Sequence, residues 1–196
     1  MTLTTPVSVY MEANPNPDSL KFVFNSMLLP DGISKDFADT SQTLGAPLAA
    51  TLFTEFPFVE RVFFTQNFIT LTKNRETEWE AVKNQVREFL VSYAQEEKPF
   101  FTEEIMEAAA EAEPQDQSPE AQRIRQILNE YVRPAVEMDG GAIHFHDYDK
   151  AEGRLAVTLK GACSGCPSSI VTLKSGIENL FQQLMPEVKQ VVAHEG

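Results

Sequence analysis

The chain has 196 residues, of which 42% are hydrophobic, so it is long enough for one large or two small globular domains. Its 29 acidic and 16 basic side chains give a formal charge of −13 at pH 7, which argues against a nucleic acid partner. No stretch approaches the roughly 18 uninterrupted apolar residues of a membrane-spanning helix, so we expect no membrane partner. The first twenty residues contain no Lys or Arg. We therefore expect neither a secretion signal nor a basic transit peptide.

The amino-terminal half alternates between strand-like and helix-like segments. Two apolar runs, 7–13 and 20–24, flank a turn that contains two prolines, and they predict a pair of strands. The later predicted elements are a helix with apolar residues recurring from Leu44 to Phe53, strands at 59–64 and 68–72, and an amphipathic helix from Trp79 to Leu90. Residues 1–95 thus predict a mixed α/β domain, and they contain neither cysteine nor histidine.

A short acidic segment follows this domain. Residues 96–120 hold one basic and nine acidic side chains, and a charge block of this kind usually stays solvated. We therefore predict an acidic linker at 96–118. Within it lies a small apolar group that could dock onto a domain, namely Phe100, Phe101, Ile105 and Met106.

The last part of the chain, residues 119–196, has the pattern of a second small domain. In chain order its predicted elements are a helix from Ser118-Pro119, strands around Phe145 and Val157, an amphipathic helix from Pro167 and a strand at 188–193. Pro134 is expected to kink or end the first helix. The order α-β-β-α-β places the helices on one face of a small sheet. The predicted fold class of the chain is α+β, with two small domains.

The chain has only two cysteines, Cys163 and Cys166, which are separated by two residues. They lie between a predicted strand and the helix that starts at Pro167. The unpaired N–H groups and the positive end of the dipole at a helix start lower the pKa of nearby thiols and favour thiolates. A disulfide framework would use more cysteines, spread more widely, so we infer a reducing compartment and a cytoplasmic location.

Three roles are open for this pair of thiols. It could serve in packing, or it could be the site of a thiol-disulfide oxidoreductase, since thioredoxin-type sites also place two cysteines at a helix start. Metal or cluster binding needs about four ligands, which a two-fold related second copy of the chain would complete. His144 and His146, predicted on one strand face, are possible extra ligands, but solvent exposure is the default expectation for them. His194, near the end of the chain, gives even less indication that it is a ligand.

Several motifs in the second domain occur together in a known family. They are Val132-Arg133-Pro134-Ala135-Val136, Asp139-Gly140-Gly141, Gly161-Ala162-Cys163-Ser164-Gly165-Cys166-Pro167-Ser168-Ser169, Thr172-Leu173-Lys174 and Gly176-Ile177-Glu178. With them, the stretch from Ile124 to Val192 resembles the C-terminal domain of NifU, as found in Nfu proteins. The run from Asn14 to Phe22 resembles the Nfu N-terminal domain.

The resemblance implies a protein of iron–sulfur cluster assembly that is not an enzyme. It implies a [4Fe–4S] cluster, with [2Fe–2S] as the other form, bound between two subunits by Cys163 and Cys166. The implied partners are a second copy of the chain, upstream cluster scaffold proteins, and apo iron–sulfur client proteins that receive the cluster by ligand exchange. Mitochondrial members of the family carry transit peptides, so a start without basic residues favours a bacterial protein or a processed form.

Overall fold

The computed structural model of the chain describes residues 6–111, 116–162 and 167–195. The chain divides into two compact units, Met1–Ala112 and Glu113–Gly196, and each has a hydrophobic core of its own. Both units combine a β-sheet with helices, so the predicted α+β class is confirmed. Within those three described ranges, no helix is both long enough and apolar enough to cross a membrane.

The amino-terminal unit contains five strands and three α-helices in its described part. In chain order they are β1 (Val9–Ala13), β2 (Ser19–Phe24), β3 (Ser34–Phe37), α1 (Pro47–Glu55), β4 (Val59–Thr65), β5 (Phe68–Lys73), α2 (Trp79–Gln95) and α3 (Glu103–Glu111). The strands form an antiparallel sheet in the order β1-β2-β5-β4-β3. The sequence pattern does not predict β3, because this short edge strand is polar and only its Phe37 is buried.

The core of this unit is formed by apolar residues of the sheet and of the helices together. Phe22 and Phe64 are fully buried on the strands, as are Leu52 on α1 and Leu90 on α2. Aromatic rings make up much of this core and meet edge to face, as the rings of Phe22 and Trp79 do at a centroid distance of 6.1 Å.

The first part of the segment predicted as a linker at 96–118 packs onto the amino-terminal unit instead of lying in solvent. Phe101 is only 7% exposed, and its ring lies 5.0 Å from that of Phe64. The ring of Phe100 lies 5.8 Å from that of Phe24. The boundary between the two units accordingly falls after Ala112. The apolar group that was expected to dock onto a domain therefore packs on the core of the amino-terminal unit.

The carboxy-terminal unit follows the predicted order of elements. They are α4 (Pro119–Ile127), a π-helical turn (Leu128–Val132), α5 (Arg133–Met138), β6 (Gly141–Asp149), β7 (Arg154–Gly161), α6 (Pro167–Leu184) and β8 (Gln190–Glu195). The sheet order is β6-β7-β8, with β6 antiparallel and β8 parallel to β7. The hydroxyl of Ser118 accepts a hydrogen bond from the Ala121 N–H at 3.2 Å, so the predicted cap of α4 is present.

Pro134 changes the helix near its position, as expected, but does not end it. The π-helical turn Leu128–Val132 comes immediately before, and α5 then continues the helix to Met138. Proline cannot donate a hydrogen bond to the preceding turn and its ring crowds that turn, so a locally wider turn relieves the conflict.

Replacing a glycine by alanine is expected to have opposite effects on stability at two positions of this unit. Gly153 has φ of +67°, and a Cβ built on it would lie 2.5 Å from the carbonyl oxygen of Glu187, a backbone atom that cannot easily move. At Gly176, inside α6, such a Cβ would meet no atom within 4 Å among the described residues beyond its own stretch of helix. We expect Gly153→Ala to lower the free energy of unfolding by about 2–4 kcal/mol. Gly176→Ala should raise it by about 0.5–1 kcal/mol, because alanine favours the helix.

Equilibrium denaturation followed by far-UV circular dichroism measures both changes, and Gly176→Ala is the matched control for the added methyl group. Equal effects of the two substitutions would contradict the close approach described at Gly153.

Candidate functional site

In the sequence, the two predicted thiol ligands lie between the end of β7 and the start of α6. Cys163 and Cys166 themselves lie outside the described residues. The strand and the helix predicted on either side of them are both present, since β7 ends at Gly161 and α6 begins at Pro167. The cysteines thus follow a strand end and precede a helix amino terminus in the sequence, which is the setting that favours thiolates.

Glycines fix the backbone on the strand side of this segment. Gly161 has φ of +68° and pairs with Gly141 across the sheet. The N–H of Ala162, the residue before Cys163, donates to the carbonyl of Gly140 at 3.2 Å. Gly140 itself has φ of +77°, a conformation that residues with a side chain rarely adopt. The Asp139-Gly140-Gly141 motif therefore holds the strand end that leads into the cysteine segment.

Two positive charges, those of Lys160 and Arg133, act on a histidine near this end of the sheet. His144, on β6, is half-buried instead of exposed as expected. Burial is the main cause that lowers the pKa of His144 from 6.5 to about 4, and the charges of Lys160 and Arg133 lower it further. At neutral pH this imidazole is therefore uncharged, while Lys160 comes one residue before Gly161 on β7.

The histidines do not follow the simple alternation that the sequence predicts. The register of β6 against β7 shifts between Phe145 and Asp147, so His146 is the extra residue of a β-bulge. Its ring lies 5.3 Å from the ring of His194 on β8. Among the described residues, no three His, Cys, Asp or Glu side chains come close enough together to hold a metal ion. Among the described residues His144 and His146 thus belong to no such group of three, and their role as extra ligands beside the cysteines stays a prediction.

Sequence reasoning missed two exposed apolar side chains beside the cysteine segment. Met138 is 73% exposed and lies two residues before Gly140, to which Ala162 is bonded. Val171 is 66% exposed in the second turn of α6. Their signal in the sequence is that each falls outside the apolar stripe of its helix.

Comparison with known proteins agrees with this description of two units. A family model described as "Scaffold protein Nfu/NifU N terminal" matches residues 9–97, and one described as "NifU-like domain" matches residues 124–192. Together these define a two-domain protein of the NifU-like class. The chain belongs to the Nfu family within that class, as the sequence motifs indicated.

Individual relatives match over nearly the whole chain. NifU-like protein 4, mitochondrial, from Arabidopsis thaliana is 36% identical over 93% of this chain and 64% of its own length. NifU-like protein C1709.19c from Schizosaccharomyces pombe is 33% identical over 92% of this chain and 70% of its own length. The NFU1 iron-sulfur cluster scaffold homolog, mitochondrial, from Drosophila ananassae is 36% identical over 93% of this chain and 63% of its own length. The chain thus spans a little under two thirds of the Arabidopsis and Drosophila proteins.

The expected cytoplasmic location is wrong. It was inferred from reduced thiols and from a start without basic residues, and the Arabidopsis and Drosophila relatives are named as mitochondrial proteins. A reducing environment exists in more than one compartment, so thiol usage could not distinguish among them.

Proposed function

We propose that this chain is an iron–sulfur cluster carrier that binds a [4Fe–4S] cluster through Cys163 and Cys166 and delivers it to apo-proteins. The proposal rests on one observation. This chain of the Nfu family has two cysteines in all, and both occur in the sequence between a strand end and a helix start. The cluster is cargo here, and the chain catalyses no reaction of its own.

The second half of the ligand set comes from a second copy of the chain. A [4Fe–4S] cluster takes about four thiolates, and one chain supplies two. An isologous contact that brings two identical cysteine segments face to face completes the set without further ligands. The exposed side chains of Met138 and Val171, beside the segment, supply apolar surface for such a contact.

Transfer follows from the position of the cluster at the contact between copies. A cluster held there by two thiolates from each side is accessible, and recipient thiolates replace the carrier thiolates one at a time. The proposed partners are therefore upstream scaffold proteins that supply the cluster and apo iron–sulfur proteins that accept it.

Anaerobic reconstitution of the purified chain with iron and sulfide tests the proposal. We expect four iron and four sulfide ions per two chains, with the broad visible absorption of a four-iron cluster. Two iron ions per two chains would instead indicate that the bound cluster is the [2Fe–2S] form. A chain that binds no iron but reduces disulfides would contradict the carrier function and favour a thiol-disulfide oxidoreductase.

A further inference from the structure

The face of the carboxy-terminal sheet that points away from its core carries histidines. Leu155, Val157 and Leu159 of β7 are buried in the core, so Thr158 between them points to the opposite face. In the register of the sheet, Thr158 lies between His144 on β6 and His194 on β8. These two histidines therefore share the outer face with Thr158.

The β-bulge brings a third histidine to this face. It sets His146 and Asp147 together against a single residue of the neighbouring strand, Ala156. The rings of His146 and His194 have centroids 5.3 Å apart and an interplanar angle of 50°, so they are close neighbours that are tilted and not stacked. Because β6 and β8 are separated by β7, the two side chains reach toward each other above the central strand.

This spacing fits a metal ion between two imidazoles. A metal–nitrogen bond of about 2.1 Å puts each ring centroid about 3.2 Å from the ion, so a tetrahedral angle separates the centroids by roughly 5 Å. Both rings are exposed, and the only described contact of each is with the other ring. The neighbouring Asp147 is also exposed and adds a negative charge that favours a cation.

The geometry points to a second ligand site, in which His146 and His194 bind one divalent metal ion of borderline softness such as Zn²⁺, Cu²⁺ or Ni²⁺. Imidazole is a preferred ligand of these ions. No third His, Cys, Asp or Glu converges with the pair in the described part of the chain, so water completes the coordination and the ion exchanges readily. His144 is excluded from the site, because it is half-buried next to the positive charges of Lys160 and Arg133.

Such a site would act independently of the thiols and would tie the sheet together. The two ligands belong to the outer strands of a three-stranded sheet, so an ion bound to both links β6 to β8 across β7. An ion that binds the folded chain and not the unfolded one raises its thermal stability. The chain thereby gains a metal-dependent stability that does not require the cluster.

Zinc titration of the full chain tests this site once competing thiolates are removed. In a parent variant carrying both Cys163→Ser and Cys166→Ser, isothermal titration calorimetry with Zn²⁺ should show one ion bound per chain. His146→Ala and His194→Ala should each weaken binding at least tenfold. His144→Ala, the matched control on the same face, should change the affinity less than threefold.

A second measurement keeps the test independent of stability effects. Cu²⁺ bound to the parent variant should show nitrogen hyperfine structure from two imidazoles in its electron paramagnetic resonance spectrum, and His146→Gln and His194→Gln should each remove one nitrogen. Zinc affinity unchanged by either pair substitution would overturn the site, as would an equal loss in His144→Ala. Because the parent variant lacks both thiols, failure here leaves the cluster carrier proposal untouched.

Discussion

Replacing Cys163 or Cys166 by serine should reduce the iron bound after anaerobic reconstitution to background while the chain stays folded. Each substitution removes two of the four proposed thiolates from a cluster shared by two copies, and serine is a poor substitute for a thiolate ligand. Both cores are formed by residues elsewhere in the chain, so the fold has no need of the two thiols.

The measurement is iron and sulfide content together with visible absorption, on variants checked by far-UV circular dichroism. Ser164→Ala is the matched control, because it changes a residue between the two cysteines without removing sulfur. Iron content equal to that of the unsubstituted chain would contradict the proposed ligands. Loss of folding in the serine variants would instead indicate a structural metal site, such as zinc.

Ending the amino-terminal unit at residue 95 instead of residue 112 should largely unfold it. The shorter fragment lacks Phe101, which packs on Phe64, and Phe100, which packs on Phe24. It also lacks Thr102, whose N–H donates to the carbonyl of Gly45 at 2.9 Å. Burial of these aromatic side chains and their apolar neighbours contributes on the order of 5 kcal/mol. This loss is comparable to the whole stability of a small domain.

Urea denaturation of the fragments 1–95 and 1–112 measures the difference. Trp79, the only tryptophan, is a suitable fluorescence probe because it is 8% exposed and its ring N–H donates to the Asp18 carbonyl at 3.2 Å. Phe101→Ala in the longer fragment should reproduce part of the loss, about 3 kcal/mol. Equal midpoints for the two fragments would mean that residues 96–112 are a linker after all.

The sequence predicts most of the fold, because long elements with one buried face repeat their apolar residues regularly. The helix α6 is the clearest case, since Ile177 and Phe181 lie on one stripe and are both buried. The strand β3 could not be predicted, because an edge strand with one buried residue leaves no alternation to detect. The apolar group around Phe101 was expected to dock onto a domain, but the glutamates around it left no sign of which domain that is.

The bulge in β6 can be recognised in the sequence, because the alternation of apolar residues changes phase within the strand. Ile143 and Phe145 are both core residues at odd positions, but the next apolar residue that packs on the core is Tyr148, at an even position. Such a change of phase within one strand indicates an inserted residue. The approach of His146 to His194 had no such signal, because it depends on the parallel pairing of β8 with β7, which brings together residues far apart in sequence.

Native mass spectrometry of the anaerobically reconstituted protein tests most directly whether one cluster is shared by two copies of this chain. We expect a species that contains two chains and one four-iron, four-sulfide cluster, and dissociation to single chains when the cluster is removed. A cluster retained by a single chain would contradict the shared site, and so would a dimer whose mass is unchanged by iron and sulfide.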